Sequence, residues 1–360
     1  MWSLKQYMKD YIIVGAGQSG LAIAYYLMKQ GANYLVVDAN SEIGAPWLKR
    51  WDSLKLFTPS EFNSLPGLEF PYKKGHYADK YEVAGYLKSY VSKFEIPVEF
   101  NHKITSLKKE NGVFKLKTAL KVFEAKNVII ATGPFHKPFT PSCHLKISEE
   151  VLQIHSEHYK GPDQLQEGAA LVVGAGDSGV QILNEISQTN KAVYFSGNTN
   201  IRSLPQEILG KTLWWWFHKV GFLTANKYSW IGKKLSSSGQ PVIGTDVKAL
   251  FKKQNVTCVG RTLDANKESL IFEKQKVNDI KNIVWATGFK PNFNWIEGIE
   301  LDERDYPKNY RGISDTIDGL YFLGLPWLHT RGSATLGGVQ RDAKYLNAYI
   351  SKKETKKVLV

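Results

Sequence analysis

Two glycine-rich turns of one form, Gly15-Ala-Gly-Gln-Ser-Gly20 and Gly174-Ala-Gly-Asp-Ser-Gly179, constrain this chain more than any other feature. Each follows a short apolar run, Tyr11–Val14 or Leu171–Val173, and each opens a helix-like stretch. An unbroken apolar run fits a parallel strand covered on both faces, whereas a half-exposed strand would alternate. The first glycine allows the tight turn, the second lets backbone approach a pyrophosphate, and the third lets helix close on strand. The helix N-terminus then offers unpaired N–H groups and the positive end of its dipole to the phosphates. Each unit continues into a second strand, Tyr34–Val37 or Ala192–Phe195. Each is closed later by an apolar strand running into Ala-Thr-Gly, Val128–Gly133 or Ile283–Gly288. The expected fold is α/β, with two Rossmann-like dinucleotide-binding domains. A last strand at Leu320–Leu323 and a helix from about Gly338 to Tyr349 follow the second unit, so the second domain is expected to be inserted into the first. This divides the chain into 1–160, an inserted 161–286 and a return over 287–360, with linkers near Gly161-Pro162 and Thr287-Gly288.

A length of 360 residues suits two domains. With 43% hydrophobic and 22% charged residues, a disordered or low-complexity chain is excluded. Two cysteines, Cys143 and Cys258, cannot build a disulfide framework or a four-cysteine metal site, and without Cys-x-x-Cys there is no dithiol redox centre. The histidines and cysteines form no ligand spacing, so no metal is expected. The net charge is +13, and residues 201–281 hold 14 Lys and Arg against 6 Asp and Glu. No zinc-finger or RNA-recognition signature accompanies that excess, so nucleic acid is not an expected partner. Met1–Lys9 is polar, unlike a signal peptide, and Leu21–Met28 is shorter than the roughly 20 residues that span a bilayer. A cytoplasmic protein is expected. The lysine-rich tail Ser351–Val360 reads as a solvated end.

The residue closing the second strand separates the two units. Asp38 stands where a carboxylate accepts hydrogen bonds from ribose hydroxyls. The matching place in the second unit is Ser196-Gly197, with Arg202 following, a combination that welcomes a 2′-phosphate instead of repelling it. Arg202 also reads as an ordinary surface arginine. The first site is therefore expected to hold an adenine dinucleotide with a free ribose, and the second NADP(H). Two such sites without a dithiol or metal cluster fit a flavin paired with a nicotinamide.

The chain resembles the class B flavoprotein monooxygenases. It is most similar to bacterial flavin-containing monooxygenase-like proteins described as cation-efflux accessory flavoproteins, and less so to the plant YUCCA enzymes. The resemblance rests on both glycine turns, Trp51–Pro59, Ala131–Gly133, His155–Tyr159, Ala286–Phe289 and Gly324–Gly332. It implies a glutathione-reductase-like fold with FAD at Gly15, Gly17, Gln18, Ser19, Gly20, Asp38, Ala39, Trp47, Ile104, Thr132, Gly133, Gly324 and Leu325. It implies NADPH at Gly174, Gly176, Asp177, Ser178, Gly179, Ser196, Arg202, Thr287, Gly288 and His155. Thr58, Pro59 and Asn63 would lie near the flavin, with no certain catalytic side chain. The implied activity is NADPH-driven reduction of FAD, then O₂ activation through a C4a-(hydro)peroxyflavin that oxygenates a small organic substrate, an N or S nucleophile or a carbonyl. Two alternatives stand beside it: a reductase passing electrons to a protein or quinone, and a flavoprotein accessory to ion transport. The family fingerprint is broken at Glu149 and Val151, an Asn of the animal enzymes is replaced by Pro59, and an Asp of related reductases is replaced by Leu325.

Two features have more than one reading. His155 either caps a chain segment or positions NADPH and couples the domains. In Leu213-Trp-Trp-Trp-Phe-His218, neighbours on a helix point about 100° apart, so three tryptophans cannot share one core. Trp214–Trp216 packs between domains or forms a lid over the substrate pocket. A peripheral membrane contact is the less favoured reading. The oligomeric state is left open, and a dimer is compatible with the sequence.

Overall fold

The computed structural model describes residues 8–237, 241–267 and 269–358. Residues Met1–Tyr7 of the polar N-terminal stretch, and Leu359 and Val360 of the tail, lie outside them.

The first unit runs β1 (Lys9–Val14), α1 (Gln18–Lys29) and β2 (Tyr34–Val37). A short helix α2 (Ala45–Leu48) and α3 (Lys80–Lys93) lead to β3 (Val98–Glu99). Asp79 starts α3 with a reciprocal capping box to Glu82, which satisfies N–H groups at the helix end. An antiparallel meander follows: β4 (Ser106–Glu110), β5 (Val113–Lys117) and β6 (Val122–Ile130). The chain then leaves through β7 (Lys137–Pro138).

The second unit contains β8 (Leu152–His155), β9 (Ala169–Val173), α4 (Asp177–Ile186) and β10 (Val193–Ser196). After it come β11 (Ser203–Leu204), the hairpin β12 (Glu207–Ile208) and β13 (Lys211–Thr212), and helices α5 (Leu213–Lys219) and α6 (Trp230–Ser237). Then follow β14 (Val242–Ile243), α7 (Val247–Leu250) and β15 (Val256–Gly260). A second meander, β16 (Thr262–Ala265), β17 (Ser269–Phe272) and β18 (Lys276–Asn278), precedes β19 (Ile280–Trp285). The chain crosses back through β20 (Phe289–Lys290) and ends with β21 (Asn309–Tyr310), β22 (Ile313–Ser314), β23 (Leu320–Phe322) and α8 (Val339–Val358).

Two main sheets result. The first has the order β21-β22-β23-β6-β1-β2-β3, the second β15-β10-β9-β19-β8. In both, the glycine-turn strand is the point where strand order reverses: β1 lies between β2 and β6, and β9 between β10 and β19, all parallel. Such a switch point opens a crevice at the C-terminal strand ends, where dinucleotides bind in this architecture. The expected fold of two nested Rossmann-type domains is observed. β23 pairs with β6, so the chain does return to the first sheet.

The boundaries differ from expectation on one side. β8 is an edge strand of the second sheet, and Cys143 and Ile147 pack with Leu171, Ile283 and Trp285 in that domain's core. The first crossing is thus at Lys137–Pro138, ahead of the expected Gly161-Pro162. Next to Thr287-Gly288, β20 pairs with β7, so the two crossing segments form one ribbon. α8 runs to Val358, with Lys353 paired to Asp318 and Tyr11 bonded to Glu354, while Lys352, Glu354 and Thr355 are exposed.

Candidate functional site

The two cradles are built alike from their glycines. A Cβ on Gly15 would stand 2.6 Å from the Ala131 carbonyl oxygen, and one on Gly174 would stand 2.2 Å from that of Ala286. Both glycines have positive φ, +111° and +130°, which L side chains rarely adopt. A Cβ on Gly20 or Gly179 would lie 1.9 Å from the carbonyl oxygen of Gly15 or Gly174, so helix and turn touch there. Gly17 and Gly176 meet nothing within 4 Å. That space lies at the start of α1 and α4, where backbone N–H groups are unpaired and a phosphate group would approach.

In the first cradle, Asp38 ends β2 and is buried. Its carboxylate accepts from the Ala16 N–H at 2.6 Å, the Asn40 N–H at 2.7 Å and the Asn40 side-chain amide at 2.9 Å. A carboxylate has about four acceptor sites, so one remains for a ribose hydroxyl. The loop carrying Ile104 is tied to this place, because the His102 N–H donates to the Asp38 carbonyl. Beside it lies a cavity of about 400 Å³ lined by Ala39, Asn40, Leu48, Lys49, Asn101 and Lys160. Gly324 closes the other side: a Cβ there would be 2.2 Å from the Ser19 hydroxyl. Leu325 beyond it is buried. Gly15–Gly20, Asp38, Ala39, Ile104, Thr132, Gly133, Gly324 and Leu325 thus share the C-terminal edge of one sheet, an arrangement that fits FAD.

Trp47 touches the cores of both domains. Thr58 and Asn63 form a closed buried pair: the Thr58 hydroxyl donates to Asn63 Oδ1 at 2.6 Å, and Asn63 Nδ2 donates to the Thr58 carbonyl at 3.1 Å. Pro59 between them is buried with extended backbone.

In the second cradle, Ser196 is 1% exposed and its hydroxyl is bonded to that of Thr262 at 2.7 Å, so a neutral pair stands where the first cradle has its carboxylate. Arg202 lies on the exposed loop before β11. Asp177, in the first turn of α4, brings a carboxyl to the end of the helix where an anionic ligand would bind. Burial pushes that carboxyl above its usual range, the Ile243 N–H bonds it, and Arg331 of the first domain's last loop lies near it. Ser178 and Gly179 follow it in the helix.

The linker ribbon joins the cradles. The Gly288 carbonyl accepts from the Phe139 N–H at 2.9 Å and from His155 Nε2 at 3.0 Å, and Thr287 donates to the Phe139 carbonyl. His155 Nδ1 accepts from the Glu157 N–H, and burial holds the imidazole below its ordinary pKa. Both ring nitrogens are occupied, so His155 is a neutral strut between β8 and the linker. His136, missed in the sequence, plays the same part in the outgoing linker. Its Nδ1 accepts from the Asn292 N–H at 2.9 Å, which leaves Nε2 to donate to the Thr132 hydroxyl at 3.1 Å, and burial lowers its pKa too.

Arg50 was also missed. Its guanidinium sits against the rings of Phe135 and Phe289, at 4.8 and 5.7 Å, one from each linker. Among the described residues no carboxylate lies within salt-bridge distance, and burial lowers its pKa. Only its sequence neighbours Trp47 and Trp51 hinted at an aromatic setting, since its partners are distant in sequence.

The tryptophan run resolves as packing. Trp214 is 5% exposed, stacks on Phe57 at 5.9 Å, approaches Phe62 at 6.2 Å, and donates from Nε1 to the Phe57 carbonyl at 2.9 Å. Trp215 and Trp216 are half-buried. Helix α5 therefore covers the Phe57–Asn63 loop of the first domain. Among the described residues no three His, Cys, Asp or Glu side chains are grouped to hold a metal, and no helix is long and apolar enough to cross a membrane.

The pattern of the pyridine nucleotide-disulphide oxidoreductase family matches residues 12–208. The chain is 40% identical over 342 residues to an uncharacterized CzcO-like oxidoreductase of Geobacillus kaustophilus strain HTA426, covering 95% of this chain and 98% of that one. It is 27% identical over 363 residues to the probable indole-3-pyruvate monooxygenase YUCCA1 of Arabidopsis thaliana, covering 90% and 86%. A flavin-containing monooxygenase from Stenotrophomonas maltophilia shares the fold with a TM-score of 0.79 at 23% identity, covering 96% and 99%. The chain belongs to the pyridine nucleotide-disulphide oxidoreductase family, in its flavin monooxygenase-like branch, and is an FAD- and NADPH-dependent oxidoreductase.

Proposed function

We propose that this protein is a monooxygenase that uses NADPH and O₂ to oxygenate a small organic compound, an N or S nucleophile or a carbonyl. The carrying observation is that two complete dinucleotide cradles stand on a chain with no internal thiol acceptor. Cys143 packs in one hydrophobic cluster and Cys258 beside another, both unpaired, and burial raises both thiols. Thiolate, the reactive form, is thereby disfavoured, so electrons from NADPH need an acceptor other than a protein disulfide. The plant and bacterial monooxygenases it resembles point to O₂ as that acceptor.

The overall balance is NADPH, a proton, O₂ and substrate giving NADP⁺, water and a substrate carrying one added oxygen atom. FAD, when bound, supplies hydride acceptance and O₂ activation. The chain's own residues bind and orient. Gly15–Gly20 and Asp38 would hold the FAD pyrophosphate and ribose, and Gly174–Gly179, Ser196 and Arg202 the NADPH phosphates. His155 and Thr287 fix the linker between them, and Trp214 with Phe57 and Phe62 keeps water from the Thr58–Asn63 loop. Both ring nitrogens of each junction histidine are hydrogen-bonded, so neither imidazole is poised as a general acid or base. The need for NADPH supports a cytoplasmic reaction.

Stopped-flow spectroscopy tests this reading. The holoenzyme is reduced anaerobically with NADPH, then mixed with oxygenated buffer. A transient near-ultraviolet band that persists for seconds before oxidised flavin returns supports the monooxygenase. Immediate return of oxidised flavin, with one peroxide per NADPH, would replace it with the reductase reading.

A further inference from the structure

The two cradles differ in charge at the start of their helices. α1 has no acid in its first turn, where Gln18 stands, whereas α4 begins with Asp177. A carboxylate suits the positive end of a helix dipole, but there it competes with a phosphate and repels it. A cradle of this kind needs a cation to offset the carboxylate. Among the described residues, the charged side chain that acts on Asp177 is Arg331, and the one that acts on Arg331 is Asp177.

Arg331 comes from the other domain. It opens the 3₁₀ turn Arg331–Ala334, which a reciprocal capping box between Thr330 and Ser333 fixes. The same loop is tied to the inserted domain: the Lys227 N–H donates to the His329 carbonyl at 2.8 Å, and Asn226 bridges to Thr330. The guanidinium lies 5.9 and 5.8 Å from the rings of Phe217 and Phe222, which stack on each other at 4.6 Å. Phe217 in turn meets Trp214 edge to face at 6.0 Å. These rings hold the arginine without occupying any of its five N–H donors. Among the described residues the guanidinium has no hydrogen-bond acceptor, and no carboxylate lies within ion-pair distance of it, Asp177 included.

We propose that Arg331 is the first domain's contribution to the NADPH site: its guanidinium donates to the NADPH diphosphate at the start of α4, and Asp177 draws it there across the domain junction. The planar fork of a guanidinium matches a pair of phosphate oxygens. Gly176, with no atom within 4 Å of an added Cβ, leaves the space between them open. The second cradle is then complete only when the last loop of the first domain stands over it. This inference rests on the assignment of NADPH to the second cradle and is independent of which acceptor takes the electrons.

The test is calorimetric titration of the FAD-loaded protein with three ligands. These are NADP⁺, then 2′-phospho-ADP-ribose, which keeps the diphosphate but lacks nicotinamide, and adenosine 2′-phosphate, which lacks both. Arg331→Met keeps an apolar stem on the two rings. It should weaken the first two ligands roughly 10- to 150-fold, the value of a charge-assisted hydrogen bond, and leave the third unchanged. The loss should persist beside Asp177→Asn, where no carboxylate is left to offset. Arg331→Lys should recover part of it. If Arg331→Met does not fold, a loss in Arg331→Lys confined to the first two ligands supports the contact. Gly176→Ala, titrated alongside, tests the cradle itself. NADP⁺ weakened by Gly176→Ala but not by Arg331→Met would leave the cradle standing and remove Arg331 from it. NADP⁺ weakened by neither would remove both. A loss confined to NADP⁺ would place Arg331 at the nicotinamide, and an equal loss for all three ligands would make it a packing residue. A loss that vanishes beside Asp177→Asn would make it a counter-charge alone. Each of these three results overturns the proposal.

Discussion

Gly176 and Gly179 are three residues apart in one turn, yet alanine at each should do opposite things. Gly176 has φ −86° and ψ 179°, a conformation any residue adopts, and an added Cβ meets no atom within 4 Å. Gly176→Ala should therefore leave stability unchanged. Its methyl would stand where the NADPH pyrophosphate approaches the first N–H groups of α4. Loss of one charge-assisted hydrogen bond there costs about 1.5–3 kcal/mol, which is roughly a 10- to 150-fold weaker NADPH dependence. At Gly179 the Cβ would lie 1.9 Å from the Gly174 carbonyl oxygen. Relieving that contact must move α4 off its turn, an overpacking cost of about 1–3 kcal/mol. Alanine's better helix propensity returns about 1 kcal/mol at most. The assay pairs a thermal melt with anaerobic flavin reduction across NADPH concentrations, and both variants should keep their yellow FAD. Gly176→Ala reducing flavin with the parent NADPH dependence would refute the assignment of that space to a phosphate. Loss of colour in Gly176→Ala would refute the division of the two sites.

Arg202→Ala should shrink the preference for NADPH over NADH by roughly tenfold or more, the value of a charged hydrogen bond of about 1.5–3 kcal/mol. An unchanged cofactor ratio would remove Arg202 from the site. Trp214→Ala removes the stack on Phe57 and the bond to its carbonyl, and should cost about 3 kcal/mol, read as faster proteolysis within residues 203–243. Burial lowers the pKa of both His136 and His155 in the folded chain, so the unfolded chain binds more protons below its own value of about 6.5. Their stabilising contribution is present above that pH and is lost as pH falls through the folded values. Urea midpoints should drop on acidification from neutrality, and His155→Gln should flatten that drop.

The legible parts of the fold are those where backbone geometry dictates residue type. β1, β9, β6 and β19 read as strands because parallel strands covered on both faces must be apolar throughout, and the glycine turns read because only glycine permits their φ and their contacts. The two meanders were not legible. β4 is half-exposed with a single apolar residue, Leu107, and β5 alternates lysine with phenylalanine or leucine, a pattern shared with amphipathic surface chain. The first domain boundary was misplaced because Gly161-Pro162 is a stronger turn signal than β8, a four-residue edge strand with three half-buried positions. Of the site, the glycines and Asp38 were readable one at a time. Arg50, His136 and Thr262 were not, since Phe289, Asn292 and Ser196 reach them only through the fold.

The duplicated frame shows where specificity resides. The two cradles agree at all three glycines, at the closing Ala-Thr-Gly strand and in strand order, so none of these distinguishes one dinucleotide from another. They differ at the residue ending the second strand and at what holds it. Asp38 is bound by its own turn, through Ala16 and Asn40. Ser196 is bound from outside its turn by Thr262 on β16, the first strand of the second meander. A carboxylate at the Ser196 position would face a 2′-phosphate across a buried, poorly screened gap, where repulsion is strong. A hydroxyl pair brings no charge, and on the proposed assignment leaves the field to Arg202. On the proposed assignment of NADPH to the second cradle, the meander, a separate three-stranded sheet, supplies through Thr262 the neutral partner that would let the same backbone turn accept the more highly charged of the two cofactors.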